Sequence, residues 1–327
     1  MIRAFAFLFM TLPAMASAFC TADGFESLMT PEDLAALHNL ADQTPFGSGL
    51  YWSAEKDGTE LILLGTMHLP DPRHAGLLAR VAPDLDKADL LLVEATLEDQ
   101  AALQAQIANN PQIMMIVDGP SLIDRLDDAT WNIIRDAAFA RGLPGVMAAK
   151  MQPWALSMTL AMPPCAMTAM TAGEVGLDGI LMQRAAALDI PVAALEPWQD
   201  MLALLMSGTF EEQLAALRLS IVPPAIQDAM ISTLITSYFE GETAFSWHIS
   251  RYVIDFMPNA DPAEFEVQMQ RLEDELLTAR NQNWIPVIKE AVQTHDSVFV
   301  AFGAAHLMGE TGVLRLLEND GWTIKRR

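Results

Sequence analysis

Four short apolar runs in this chain each end on a single ionisable residue. Glu60-Leu61-Ile62-Leu63-Leu64-Gly65-Thr66-Met67 leads to His68, Leu91-Leu92-Val93 to Glu94, Val192-Ala193-Ala194-Leu195 to Glu196, and Val298-Phe299-Val300-Ala301-Phe302-Gly303-Ala304-Ala305 to His306. The runs read as strands, and the long stretches between them carry helical signals, so the chain is constrained to an α/β fold. Leu50 to Ser53 and Glu60 to Leu64 flank Lys56-Asp57-Gly58, and Asp-Gly between apolar runs predicts a hairpin. A helix is expected over Ala75 to Lys87, with Pro83 interrupting it. From Glu98 to Leu188 helices dominate: Asp128 is placed to cap Ala129 to Arg141, Gly142 to stop it, and Met147 to Met162 to continue up to Pro163-Pro164. Gln199 to Gln293 is again helical, with breaks at Pro223-Pro224 and at Pro258 to Pro262. Val298 to Phe302 reads as a strand, Thr311 to Asn319 as a helix and Gly321 to Ile324 as a terminal strand. The expected architecture is a mixed sheet built from the N- and C-terminal segments and flanked by helices. It carries a long, mainly helical insertion over about residues 98–290.

The first eighteen residues are expected to be a signal peptide. Met1-Ile2-Arg3 is a short positive start, Ala4 to Leu12 an apolar run too short to span a bilayer, and Ala16-Ser17-Ala18 a small-residue cleavage site. A buried N-terminal helix or an uncleaved anchor is the other reading of the same residues. Cleavage after Ala18 leaves one domain, 19–327, expected to be periplasmic or secreted. No later segment has eighteen unbroken apolar residues, so no stable membrane insertion is expected after cleavage. In an oxidising compartment Cys20 and Cys165 either form one disulfide or remain two thiols. With 52% apolar and 19% charged residues the chain has ample material for a core. Its 42 acidic against 19 basic side chains give a net charge of −23, which repels phosphate backbones and argues against nucleic acid as a partner.

Polar residues just beyond the carboxyl ends of parallel strands converge on one sheet edge, where ligands of open α/β sheets bind. His68 and His306 also share a local frame, Gly65-Thr66-Met67-His68 and Gly303-Ala304-Ala305-His306, each a Gly-x-x-His directly after a strand. Glycine there allows a sharp turn or the close approach of a ligand. A histidine after one strand is commonly a hydrogen-bonded structural residue. The doubled frame, with Glu94 in the matching position, instead points to a mixed N/O shell able to hold a catalytic divalent metal. Glu94 is then either a metal ligand or the general base. Glu196 either belongs to this edge or, with Pro197 behind it, marks a loop. Asp178 is expected to cap a helix over Gly179 to Leu188. His38, His248, His295 and His74 lack the repeated frame and are expected to be structural, His74 being the one of them placed to line a site mouth because it lies so near His68. There is no Gly-rich phosphate loop, no His-Glu-x-x-His and no Gly-x-Ser-x-Gly, which argues against zincin chemistry and against a serine nucleophile.

The chain resembles the TraB/GumN family, to which the Tiki metalloproteases are related. The resemblance is carried by Leu64-Gly65-Thr66-Met67-His68-Leu69, Leu92-Val93-Glu94, Gly176-Leu177-Asp178, Leu195-Glu196, Arg280-Asn281, and Gly303-Ala304-Ala305-His306-Leu307-Met308-Gly309 followed by Gly312-Val313-Leu314. It implies an α/β fold with a helical insertion, His68 and His306 as the paired histidines and Glu94 as the strand-end glutamate. For the Tiki branch it implies manganese- or cobalt-dependent hydrolysis of a peptide or protein substrate, with either ion favoured over zinc. Arg280 and Asn281 match the family's polar pair. On chemical grounds Arg280 suits a developing oxyanion, and Asn281 the orientation of substrate or of a ligand carboxylate. Arg280 is equally placed to balance Glu273 or Glu275. Three readings follow: an exported metal-dependent peptidase, a non-catalytic exported binding or regulatory protein using the same pocket for a peptide, metal or cofactor, and a metal-free esterase.

Overall fold

The computed structural model describes residues 22–257 and 260–327; the expected signal peptide and Cys20, one of the two cysteines, lie outside them. Six strands, β1 (Tyr51–Lys56), β2 (Thr59–Thr66), β3 (Leu90–Val93), β4 (Val192–Ala194), β5 (Val298–Gly303) and β6 (Thr323–Arg326), form one mixed sheet in the order β4-β3-β5-β2-β1-β6. The inner neighbours β4, β3, β5 and β2 run parallel, while β1 is antiparallel to both β2 and β6. The β1–β2 hairpin turns on Asp57 and Gly58, both at positive φ (51° and 85°), the conformation that favours Asp-Gly in a two-residue turn.

The uninterrupted apolar runs follow from burial on both faces. Ile62, Leu64, Leu91, Val93, Phe299 and Ala301 point into one core, shared with the helix Leu177–Ala187. Leu61, Leu63, Leu90, Leu92, Val298, Val300 and Phe302 point into the other, against Trp284, Ile288 and Ala291 of the helix Ala279–Thr294. Chain sections from both ends of the sequence thus meet in the sheet centre, where β5 lies between β2 and β3.

The helical middle is not a single cover. Helices between Leu122 and Ala161 join the helix Phe210–Leu219 around a separate core of Leu122, Trp131, Ile134, Leu156, Leu160, Leu214 and Leu217. The helix Leu177–Ala187 and β4 return to the sheet layer between them. Local details also depart from expectation. Asp127, rather than Asp128, caps the helix Asp128–Phe139 by accepting from the Thr130 amide. Pro83 lies inside the helix His74–Leu85 without ending it, since buried Val81 and Leu85 hold the last turn on the core. Among the described residues no single helix is long and apolar enough to cross a membrane.

Candidate functional site

Strand register brings the ionisable residues together. Thr66 pairs with Gly303, and Val93 pairs with both Ala301 and Ala194, so four parallel strands end at nearly one level. His68, Glu94, Glu196 and His306 follow within three residues of those ends. The two glycines of the repeated frame serve packing, since neither has a positive φ. A Cβ on Gly65 would lie 2.7 Å from Leu307 Cδ1 and 2.9 Å from Ala304 Cα, so its absence lets the two His-bearing loops touch. A Cβ on Gly303 would stand 3.3 Å from Glu94 Oε1 and 4.0 Å from His68 Nε2, at the centre of the cluster.

His306 is buried against Trp284, their ring centroids 4.4 Å apart. Its Nδ1 is 2.6 Å from Asn281 Oδ1, while Asn281 Nδ2 donates to the Thr311 carbonyl at 2.9 Å. The second contact fixes which end of the amide faces the ring, so Nδ1–H donates and Nε2 keeps its lone pair. Burial pushes His306 down to about 4, and the ring is neutral at pH 7. Asn281 therefore orients a histidine, not a substrate or a ligand carboxylate as expected.

His68 is the exposed member, with 65% of its side chain accessible. Its Nδ1 meets Asp178 Oδ1 at 3.0 Å, and its Nε2 faces Glu94 Oε1 at 4.0 Å. The hydrogen bond to Asp178 raises His68 to about 9 against the effect of burial, with Glu94 adding to the rise. Asp178 is not the helix cap: the helix starts at Leu177, with Gly176 as its N-cap, which puts Asp178 in the first turn with its carboxylate on the imidazole.

Arg280 links the remaining groups. Its Nη2 donates to Glu94 Oε2 at 2.6 Å and to Glu196 Oε1 at 2.5 Å, and its Nε donates to the same Glu196 oxygen at 2.9 Å. Nη1 is 3.3 Å from His306 Nε2 and reaches the Leu276 carbonyl at 3.2 Å. Trp284 lies under the guanidinium and donates its indole N–H to Glu196 Oε2 at 3.0 Å. Arg280 thus does not balance Glu273 or Glu275, which pair with Arg251 and Arg271. The carboxylate of Glu94 also accepts from the Gly303 amide at 2.7 Å. Burial opposes its ionisation, but His306, His68, Arg280 and that amide outweigh it and hold the group down to about 2. With His306 neutral at pH 7, the standing positive charges are Arg280 and His68. A π-helical turn, Asp274–Thr278, immediately precedes Arg280 and Asn281, and such turns recur at functional sites.

The structure brings His68, Glu94, Arg280, Asn281 and His306 into one cluster, with two more whose side chains sequence reasoning assigned elsewhere or left ambiguous, Asp178 and Glu196. The signal for both was present, in Gly176-Leu177-Asp178 and in the fourth strand end. His74 is structural, as expected: it is buried, with Nε2 on the Leu69 carbonyl at 2.9 Å and its ring against Tyr238 and Phe239. Among the described residues no three His, Cys, Asp or Glu side chains are already gathered as a metal cage. The donor set nevertheless fits a borderline divalent ion in kind: an ionised carboxylate and two imidazoles whose Nδ1 atoms are each held by an oxygen, with Nε2 of His68 facing Glu94 and Nε2 of His306 beside Arg280 Nη1, a donor an ion would displace.

Comparison with known proteins bears on the same segments. No curated protein and no solved structure matches the chain. The model of the TraB/PrgY/gumN family matches residues 50–326, which run from the start of the first sheet strand to the end of the last and include every residue of the cluster. The chain belongs to the TraB/PrgY/gumN family.

Proposed function

We propose that this protein is an exported metal-dependent hydrolase that cleaves peptide bonds in a peptide or protein substrate. The observation that carries the reading is the matched pair of anchored imidazoles: His68 on Asp178 with its Nε2 toward Glu94, and His306 on Asn281 with its Nε2 beside the guanidinium of Arg280, which itself pairs with Glu94. Metal-ligating histidines characteristically donate their second ring N–H to a carboxylate or carbonyl oxygen in this way. His68, His306 and Glu94 would hold the ion, with manganese or cobalt favoured. A divalent ion in such a set polarises a carbonyl and lowers the pKa of its water toward neutrality.

The chain's own residues supply the rest. His306 is neutral and needs no deprotonation to donate its lone pair, whereas His68 must first give up its proton. Arg280 is held by Glu196 and Trp284 with its guanidinium beside Glu94 and His306, where it can meet negative charge developing on a carbonyl oxygen. If the two histidines alone ligate, Glu94 is the carboxylate available as general base.

One observation favours a second, metal-free reading. Arg280 already provides a cation against Glu94, and the two histidines differ in protonation, His68 charged and His306 neutral at pH 7. A pair tuned apart in this way can serve as acid and base without a metal. The deciding experiment is cleavage of a peptide library by purified protein with added Mn²⁺ or Co²⁺, repeated after chelation. Cleavage abolished by chelator and restored by either ion supports the metallopeptidase. Cleavage indifferent to chelator moves the assignment to metal-free hydrolysis, and a retained ion without turnover moves it to a binding protein.

A further inference from the structure

We propose that Gly176-Leu177-Asp178 is the positioning element of His68, a clamp that holds this exposed ring in line with the other site residues. The inference rests on the reading of His68 as a working member of the site. It explains how a histidine that is 65% exposed and lies in a loop beyond a strand comes to point its Nε2 at Glu94.

Three contacts of different kinds come from three consecutive residues. The Leu177 amide donates to the Met67 carbonyl at 3.0 Å, pinning the backbone just before His68. Gly176 passes so close to the same strip of chain that a Cβ would stand 2.4 Å from the His68 carbonyl carbon and oxygen, and 2.5 Å from Met67 O. Asp178 then reaches the ring itself, with Oδ1 3.0 Å from Nδ1. With Nδ1 so engaged, only Nε2 is left to face the cluster.

The clamp is also mounted on a rigid element. Leu177, Leu181, Met182 and Ala185 of its helix are buried in the core on one face of the sheet. Asp178 lies in the first turn of that helix, where the helix dipole favours an acidic side chain. Asn281 performs the same service for His306 from the helix on the opposite face of the sheet. The two histidines, equivalent in their local sequence, are thus aimed from opposite sides.

The test compares wild type with Asp178→Asn, Asp178→Ala and Gly176→Ala, with Co²⁺ as the probe ion and thermal unfolding recorded for each variant. The expected result is that Asp178→Ala weakens Co²⁺ binding by roughly 10–100-fold while still folding, the usual effect of removing a partner of a ligating histidine. Asp178→Asn, which keeps an oxygen acceptor, should recover part of that loss, a graded rescue that a merely structural role would not produce. Folded Asp178→Ala protein that binds Co²⁺ as wild type does overturns the proposal. If wild type binds no Co²⁺, the metal reading fails and the clamp is judged on ¹⁵N-histidine NMR. A downfield Nδ1 proton lost in both His68→Ala and Asp178→Ala sustains it, and one that is absent from wild type, or that survives in Asp178→Ala, overturns it.

Discussion

The charges of the two histidines have different causes, a carboxylate partner for His68 and burial for His306. His68 donates to a carboxylate and is raised to about 9; His306 donates to an amide, is buried, and falls to about 4. The contrast has a consequence for stability. A histidine that titrates near 6.5 in the unfolded chain and at about 9 in the folded one stabilises the fold fully below pH 6.5, and that contribution is lost as pH rises through 9. In chelator-treated protein the melting temperature of wild type should therefore exceed that of Asp178→Asn at pH 6, and the two should converge by pH 10. An equal gap at both ends would show that the difference has nothing to do with His68. Arg280 carries a heavier load. Replacing it with alanine leaves Glu94 and Glu196 buried without their shared cation, and such removals cost roughly 3–5 kcal/mol. Arg280→Lys should recover little of this in a chemical-denaturation experiment, because one ammonium cannot reproduce the fork that spans both carboxylates.

At the scale of elements, the repeated Gly-x-x-His frame proves to be one motif with two uses of glycine. Gly65→Ala drives a methyl into Leu307 and the Ala304 backbone, and an overpacked contact of this kind costs roughly 1–3 kcal/mol. Gly303→Ala should unfold near the wild-type temperature yet damage metal binding and turnover, since its methyl would sit among Glu94, His306 and His68. If both variants lose the same stability, the division of labour is wrong. The strands were legible because burial on both faces leaves unbroken apolar runs, and His68, Glu94 and His306 because each follows such a run directly. Asp178 was harder to read. Its local pattern, Asp just before a helical stretch, is that of a cap, and only the packing of Gly176 on the His68 backbone reveals its target. His74 is structural, as read from the sequence, since closeness in sequence to His68 does not survive the turn into the helix His74–Leu85, which buries the ring.

On the scale of the whole molecule, a sheet assembled from both ends of the chain carries a helical lobe with its own core. Separate cores predict separate opening. Hydrogen exchange should find β2, β3 and β5 most protected and the lobe's helices between Leu122 and Ala161 exchanging at a lower free energy as a group. Exchange of lobe and sheet as one unit would contradict that division. The acidic surface implied by a net charge of −23 is a property of the same scale and bears on solubility, without selecting a substrate. Elemental analysis tests most directly the proposal that strand ends from distant parts of the chain build one metal site. Purified protein is incubated with Mn²⁺, Co²⁺ or Zn²⁺ and desalted, beside His68→Ala and His306→Ala. About one ion per chain is expected in wild type, lost in both variants, as for a single set of shared ligands. Folded wild-type protein that retains no ion, or variants that retain it undiminished, would contradict it.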